Sequence, residues 1–397
     1  MQPLNGLTVV ALEHAIAAPF ATRQLADLGA RVIKIERPGV GDFARGYDQR
    51  VKGLASHFVW TNRSKESLTL DVKHPRGAEL LLQLIIDKAD CVVQNLAPGA
   101  AARLGVSWDA LKSKRPDLIV CDISGYGDDP DKPGPYRDKK AYDLLIQSES
   151  GFVSITGTPA EPSKAGLPIA DVAAGMFAYS NILAALLQRN IDGLGRRIDL
   201  SMLEAMGEWM GYPLYYAFEG AAPPPRAGAA HATIYPYGPF PCGDGKTVML
   251  GLQNEREWLQ FCDKVLLQAN LAQDERFKGN ASRTANREAL RALIVHSFAA
   301  LNHEQVVQRL EDAQIANAEL RDMAGLWQHE QLAARGRWRE VQTSAGPVPA
   351  LLPPGSWNDG DPQLKAVPAL GAHTDALLAE LGVGVGEIAQ LRAAGVI

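Results

Sequence analysis

Among the residues of this chain that could do chemistry, Asp171 stands out. It follows Leu167-Pro168-Ile169-Ala170 and opens an apolar segment with helical spacing, Asp171–Gln188. A carboxylate there reads in two ways that do not exclude each other. It can cap the helix by accepting hydrogen bonds from the first amides. Helix-end amides and the macrodipole would also keep it ionised, and an ionised carboxylate at a crevice is a competent covalent nucleophile. A second set of residues follows apolar, β-branched runs that read as strands: His14, Arg37, Asn95 and Ser124-Gly125-Tyr126, with Arg103 and Lys140 adding positive charge. In an open α/β sheet, ligands bind just beyond the carboxyl ends of the strands. Singly, each is an ordinary loop residue. Together they describe a crevice for an anionic, phosphorylated ligand.

Other chemistries fail on spacing. A Walker loop would need glycine five residues before Gly245-Lys246-Thr247, where Phe240 stands. A dinucleotide fingerprint would follow the first strand, where the chain instead reads Glu13-His14-Ala15-Ile16-Ala17-Ala18-Pro19. The closest histidines, His296 and His303, lack the spacing of a helix-borne metal site, so no metal is expected. The four cysteines, Cys91, Cys121, Cys242 and Cys262, form no CxxC pair.

The elements that would position these groups alternate in type. Leu7–Leu12, Arg31–Glu36, Ser67–Val72, Cys91–Gln94, Leu118–Ile123 and Arg197–Met202 read as strands. Pro19–Leu28, Pro75–Lys88, Pro98–Leu104 and Asp171–Gln188 read as helices, and Leu203–Phe218 as an irregular one. Repeated β-α-β predicts an α/β, Rossmann-like open sheet with helices on both faces. Composition shifts at the Pro/Ala-rich Ala221–Ala230. A hairpin (Tyr235–Phe240 and Thr247–Gly251 around Gly243-Asp244-Gly245) and helices Glu255–Leu267, Arg283–Leu301 and His303–Ala313 follow. The expected organisation is a large domain from 1–220, a small α+β domain at 221–330, and a loop-rich segment, 331–397, that returns to the large domain with one late helix, Thr374–Leu381.

The 397 residues carry 40 Lys and Arg against 45 Asp and Glu, a net charge of −5 that argues against non-specific nucleic-acid binding. The start, MQPLNGLTVVALEH, lacks the basic and long apolar regions of a signal peptide. The apolar stretch Val172–Leu187 reads as too short for a membrane span. The expectation is a soluble protein of a reducing, cytosolic setting with no membrane partner.

At this point the chain resembles the class III CoA-transferases, the family of formyl-CoA:oxalate and carnitine CoA-transferases. The likeness runs from LNGLTVVALEHAIAAPFATRQLADLGARVIKIERPGVGDFAR through NRSKESLTLDVKHPRG, VVQNLAPGAAARLGV, KKAYDLLIQSESG, GLPIADVAAGMFA and PYGPFPCGDGKTVML to LGAHTDALLAELG. It implies that Asp171 is the nucleophile of a covalent aspartyl-CoA route, with CoA thioesters as substrates and no resident cofactor. It implies CoA contacts at Ile16 and Ala17 (mainly by backbone), Arg37, Leu70, Lys73, Asn95, Leu96, Arg103, Lys140 and Met202, and an aromatic, Tyr142, near the reaction centre. It also implies an interlocked homodimer.

The sequence departs from formyl-CoA transferase at the glycine-run loop that covers the intermediate there. The corresponding region runs from Gly228-Ala229-Ala230-His231 to Tyr235-Pro236-Tyr237, so His231 or Tyr235 is expected to shield instead. The α-methylacyl-CoA racemases on this fold use His-Asp where this chain has Tyr142-Asp143, and a neutral tyrosine is a poor base at pH 7. Transfer is therefore expected over racemisation. An intramolecular CoA-moving isomerase and a non-catalytic acyl-CoA-binding paralogue are the rival readings. The opening blocks and SHFVWTNRSKESLTLD are most similar to members acting on C4–C5 dicarboxylates. Succinyl-CoA is the expected donor, with itaconate, mesaconate, citramalate or malate as acceptor. Arg45 and Arg226 are the candidate cations for the second carboxylate, each equally readable as a solvated surface charge, with His231 as a donor.

Overall fold

Six parallel strands form the main sheet: β1 (Thr8–Leu12), β2 (Arg31–Glu36), β3 (Lys65–Thr69), β4 (Cys91–Gln94), β5 (Ile119–Ser124) and β6 (Arg197–Ser201). Their order is β3-β2-β1-β4-β5-β6, so the chain reverses its direction of travel across the sheet between β1 and β4. The structure, a computed structural model, describes residues 2–355 and 360–397. Strands such as Val9–Leu12 and Ile119–Ile123 are buried along their whole length, because helices cover both faces of a parallel sheet.

The helices between the strands are α1 (Ala17–Asp27), α2 (Ser56–Asn62), α3 (Pro75–Lys88), α4 (Ala100–Arg103), α5 (Trp108–Leu111) and α6 (Asp143–Glu149). Residues from α3, the strands and the two last helices form one apolar core around Val10, Ile33, Leu81, Leu84 and Val92.

By compactness the chain divides into two units. One comprises Met1–Ser150, Gly166–Gly211 and Leu332–Ile397; the other comprises Gly151–Ala165 and Tyr212–Gln331. The expected boundaries at 220/221 and 330/331 thus shift, and the segment 151–165, with α7 (Phe152–Ile155), joins the second unit. The long helix α8 (Ile169–Asp192) and α9 (Met202–Trp209) belong to the first unit. The irregular Leu203–Phe218 helix is two helices, α9 and α10 (Gly211–Tyr216), parted at Met210.

At 24 residues α8 is long and apolar enough to cross a membrane by length and composition, which corrects the shorter sequence-based span. Its Ala/Gly face, including Ala170, Ala173, Ala174, Gly175 and Ala178, is buried, and it packs on α1, α9, β5 and β6.

The second unit holds an antiparallel sheet of β7 (Tyr237–Pro241), β8 (Thr247–Gly251) and β9 (Ala316–Glu319). Helices α11 (Glu255–Gln260), α12 (Asn280–Ala285), α13 (Arg287–Phe298), α14 (His303–Asp312) and α15 (Met323–Trp327) accompany it around Trp258, Phe261, Phe277 and Phe298. The short α16 (Glu330–Ala334) follows. The C-terminal part is less loop-rich than its composition suggests. It contains the hairpin β10 (Trp338–Val341) and β11 (Val348–Leu351), then α17 (Thr374–Glu380) and α18 (Val385–Ala393), whose Leu377, Leu378, Ile388 and Leu391 join the core of the large sheet.

Candidate active site

Beyond the carboxyl ends of β1 to β4 lies a cleft of about 800 Å³. Leu12 ends β1 and His14 follows it, Arg37, Pro38 and Val40 follow β2, Leu70 to Lys73 follow β3, and Leu96, Ala97, Ala100, Arg103 and Leu104 follow β4. This is the place a ligand takes in an open α/β sheet, where the strand order reverses. The walls are largely apolar (Leu12, Ile35, Leu70, Val72, Leu96, Leu104), and three cations, Arg37, Lys73 and Arg103, border them. The Arg37 guanidinium lies 4.5 Å over the Phe43 ring and donates to the Gly41 carbonyl at 3.2 Å. Lys73 and Arg103 are exposed and make no ion pair among the described residues. Apolar walls with a cationic border suit a ligand with an apolar arm and an anionic end.

The turn from β1 into α1 borders this cleft through His14. Asn95, just after β4, grips it twice: Oδ1 accepts from the His14 amide and Nδ2 donates to the His14 carbonyl, both at 2.9 Å. Ala15 has φ +61, a left-handed conformation that non-glycine residues avoid, and its amide donates to Asp42 Oδ1 at 2.9 Å. Ile16 and Ala17 are buried, 5% and 3% exposed, and neither lines the cleft.

The turn also touches α8. A Cβ on Gly175 would fall 2.7 Å from the Ala17 carbonyl oxygen and 2.9 Å from the Phe20 ring, so only glycine permits this approach. Asp171 sits one helical turn before Gly175, on the same face. The β1–α1 turn therefore runs from the cleft to the flank of Asp171.

The helix begins at Ile169, with Pro168 at the cap position and no side-chain cap from its own segment. Asp171 lies in the first turn and is not the cap, contrary to the simplest sequence reading. Asp143, at the start of α6, does that work from 28 residues away. Its Oδ1 accepts from the amides of Ala170 at 2.8 Å and Asp171 at 3.3 Å, while Oδ2 accepts from Gln147 at 2.6 Å. Asp171 itself is half-buried. Burial, and then the Asp143 charge, push its pKa up to about 7. The expectation that helix-end amides hold it firmly ionised is thus overturned, because Asp143 has taken those amides. The result is a carboxylate poorly solvated and correspondingly reactive when ionised.

Tyr142, adjacent to Asp143, is 70% exposed. Tyr47, which the sequence reading did not single out, lies in the same neighbourhood: burial, then the charges of Asp42 and Asp171 and the presence of Tyr142, push its phenol up. Its ring meets His57 edge-on at 5.6 Å. No sequence signal marked it, because it lies in a polar turn with neither strand nor helix spacing.

Other expected residues lie elsewhere. Arg45 is committed to Glu36, with Nε and Nη2 at 2.8 and 2.7 Å, and stacks 3.7 Å over Phe58, so it is not a free cation for a second carboxylate. Arg226, in the second unit, donates to the carbonyls of Thr158, Ser154 and Pro159 at 2.9, 3.0 and 3.2 Å and is likewise committed. In that unit His231 stacks flat on Tyr237, and its Nδ1 accepts from the Thr233 and Ile234 amides. Tyr235 is buried beneath Arg287. Met202 opens α9 and is buried; Lys140 is exposed beside α6. Neither lines the cleft.

The CoA-transferase family III profile matches residues 4–374. The succinate–glutarate CoA-transferase of Agrobacterium fabrum is 32% identical over 389 residues, covering 96% of this chain and 96% of that protein. The succinyl-CoA:mesaconate CoA-transferase of Haloarcula marismortui is 30% identical over 396 residues, covering 97% of this chain and 98% of that one. The crystal structure of a CAIB/BAIF family protein from Brucella suis superposes with a TM-score of 0.83 at 32% identity, covering 96% and 99% of the two chains. With the strand-end cleft and its neighbouring carboxylate, these likenesses define a CoA-transferase. The chain belongs to CoA-transferase family III.

Proposed function

We propose that this protein moves CoA from succinyl-CoA to a C4–C5 dicarboxylic acid through a covalent intermediate on Asp171. The observation that carries the reading is the half-buried Asp171 carboxylate, joined to the strand-end cleft by the β1–α1 turn. The names of relatives that use glutarate or mesaconate support the acceptor class, which also takes in itaconate, citramalate and malate.

The ionised Asp171 carboxylate attacks the thioester carbonyl carbon; the C–S bond breaks and CoA leaves as thiolate, giving a mixed anhydride. The thiolate then attacks the Asp171 carbonyl of that anhydride, expelling the donor acid as carboxylate and leaving aspartyl-CoA. The acceptor carboxylate displaces thiolate to form a second anhydride, and thiolate attack on its acyl carbon frees the new acyl-CoA and restores Asp171. No proton is consumed and no external energy source is needed, because each intermediate is an activated acyl group. Water must be excluded while either one exists.

An acid panel (glutarate, mesaconate, itaconate, citramalate, malate, oxalate) offered with succinyl-CoA and read by mass spectrometry tests the substrate class. Transfer to dicarboxylates of four or five carbons is expected, and transfer to oxalate alone would overturn the assignment. Asp171→Ala should abolish transfer; normal transfer by that variant would refute the mechanism. The same proposal includes the interlocked homodimer, and a stable monomer in sedimentation at low concentration would count against it.

A further inference from the structure

We propose that Asp71 is a positioning residue for CoA binding, seated by the turn after α18: the Val396 carbonyl fixes the Asp71 amide, and Asp71 in turn fixes Lys73 at the border of the cleft. The inference rests on the reading of that cleft as the acyl-CoA site. It adds a role for residues near the far end of the chain that the reaction does not itself use.

Strand β3 is an edge of the parallel sheet, with β2 on one side only. The amides on its other side need partners, and an open edge is a liability. The chain returning after the β10–β11 hairpin takes them in turn. His373 Nδ1 accepts from the Ser67 amide at 3.1 Å, Thr374 Oγ1 from the Thr69 amide at 3.0 Å, and the Val396 carbonyl from the Asp71 amide at 2.7 Å. These are alternate residues, as the period of a strand requires. Between them the Leu70 amide donates the other way, to the Glu36 carbonyl of β2 at 2.8 Å. The first two bonds finish the sheet. The third lies beyond the last residue of β3, in the loop whose Leu70, Asp71, Val72 and Lys73 line the cleft. Gly395 lines the same cleft, so the returning segment is itself part of the wall.

Asp71 passes this hold on to the loop. Its Oδ1 accepts from the Lys73 amide at 3.0 Å and its carbonyl from the His74 amide at 3.1 Å. The start of α3 closes on it from behind: a Cβ on Gly77 would fall 2.0 Å from the Asp71 carbonyl oxygen, so only glycine permits the approach. Val396 is held as firmly. It is 1% exposed in the core of the large sheet, and its own amide donates to the Leu391 carbonyl at 2.9 Å. Lys73, two residues after Asp71, is exposed on the cleft border, a cation able to meet a phosphate. By charge alone, a carboxylate in this wall would repel an anionic ligand. The backbone it holds accounts for its place there. A loop fixed before the ligand arrives spares the ordering cost of binding.

The test sets positioning against charge, because the two predict opposite signs. Asp71→Asn removes the charge and keeps an oxygen for the Lys73 amide; Asp71→Ala removes both. Affinity for free CoA is measured by calorimetry, kcat and KM for succinyl-CoA by mass spectrometry, and folding by thermal melting. Positioning predicts that Asp71→Asn binds CoA at least as tightly as the native protein. Asp71→Ala should bind it at least fivefold more weakly, with KM raised in proportion and kcat changed less than twofold. A chain ending at Gly395 lacks the Val396 carbonyl and should lose at least fivefold in CoA affinity. That loss should shrink below twofold when Lys73 is already alanine, since residues that act through one another are not additive. Where the shortened chain does not fold, the two Asp71 variants decide. CoA affinity of Asp71→Ala within twofold of native or tighter, whatever its melting temperature, would overturn the proposal. So would an equal loss in Asp71→Asn, or full additivity of the truncation with Lys73→Ala. If the native protein binds CoA but moves it to no acid in the panel, the transfer reading has failed on its own and the affinities alone decide. If it binds no CoA, the cleft reading fails and this proposal with it.

Discussion

Replacing Gly175 with alanine tests whether the contact between α8 and the β1–α1 turn sets the geometry of the site. Helix propensity alone favours the change by about 0.8–1 kcal/mol, since Gly175 lies inside a 24-residue helix. The new methyl carbon would fall 2.7 Å from the Ala17 carbonyl oxygen. An ordinary C···O contact is about 3.3–3.6 Å, so the turn or the helix must give by roughly 0.6–0.9 Å. Overpacking of this kind costs about 1–3 kcal/mol. The expected balance is a modest loss of stability, of order 1 kcal/mol. The functional effect should be larger, because a misplacement of about 1 Å between reacting groups can cost on the order of a hundredfold in rate. Steady-state transfer from succinyl-CoA, alongside thermal melting, should show kcat down at least tenfold and melting changed by only a few degrees. A variant with native kcat and a higher melting temperature would refute the idea that this close approach positions the turn against Asp171.

The rate of donor attack should rise with pH through a limb near 7, because burial and then Asp143 raise Asp171 to about 7 and only its ionised form attacks; Asp143→Asn should move that limb to lower pH in a kcat/KM profile. Asp171 also opposes stability once ionised. Its folded pKa lies above the unfolded value, so its unfavourable contribution appears as pH rises from about 4 through about 7, and Asp171→Asn should raise the melting temperature at pH 8 more than at pH 4. Lys34→Met leaves Asp42 and Glu13 short of a buried partner and should cost about 3–5 kcal/mol in denaturant unfolding. Arg103→Ala and Lys73→Ala should raise the KM for succinyl-CoA severalfold with little change in kcat, since both cations border the cleft.

The parallel sheet was legible because its strands are short apolar, β-branched runs separated by helix-period segments, and Arg31–Glu36, Pro75–Lys88 and Cys91–Gln94 agree with the structure to the residue. β9 was missed because its sequence, ANAE, has neither β-branched residues nor alternation and pairs only along β8. The C-terminal hairpin and α18 were missed because their apolar residues are few and find their partners in distant parts of the chain. In the site, the strand-end residues Arg37, Leu70, Lys73, Leu96 and Arg103 do gather around one cleft, as parallel topology requires. Local sequence could not show that Asp143 would cap α8 in place of Asp171, because that bond spans 28 residues. Nor could it show that Arg45 would be committed to Glu36, a pairing made by the fold of the turn after β2. Lys34 in RVIKIE carried no signal beyond its place in a strand; with both faces of the sheet covered, it is the centre of a buried charge cluster.

The most direct test of the account is to find the acyl group on Asp171. The protein is incubated with succinyl-CoA, quenched with hydroxylamine and digested, and the peptide spanning α8 is sequenced by mass spectrometry. A hydroxamate on Asp171, absent without succinyl-CoA, is the predicted result. Vigorous transfer with an unmodified Asp171, or with the label on another carboxylate such as Asp143, would contradict it.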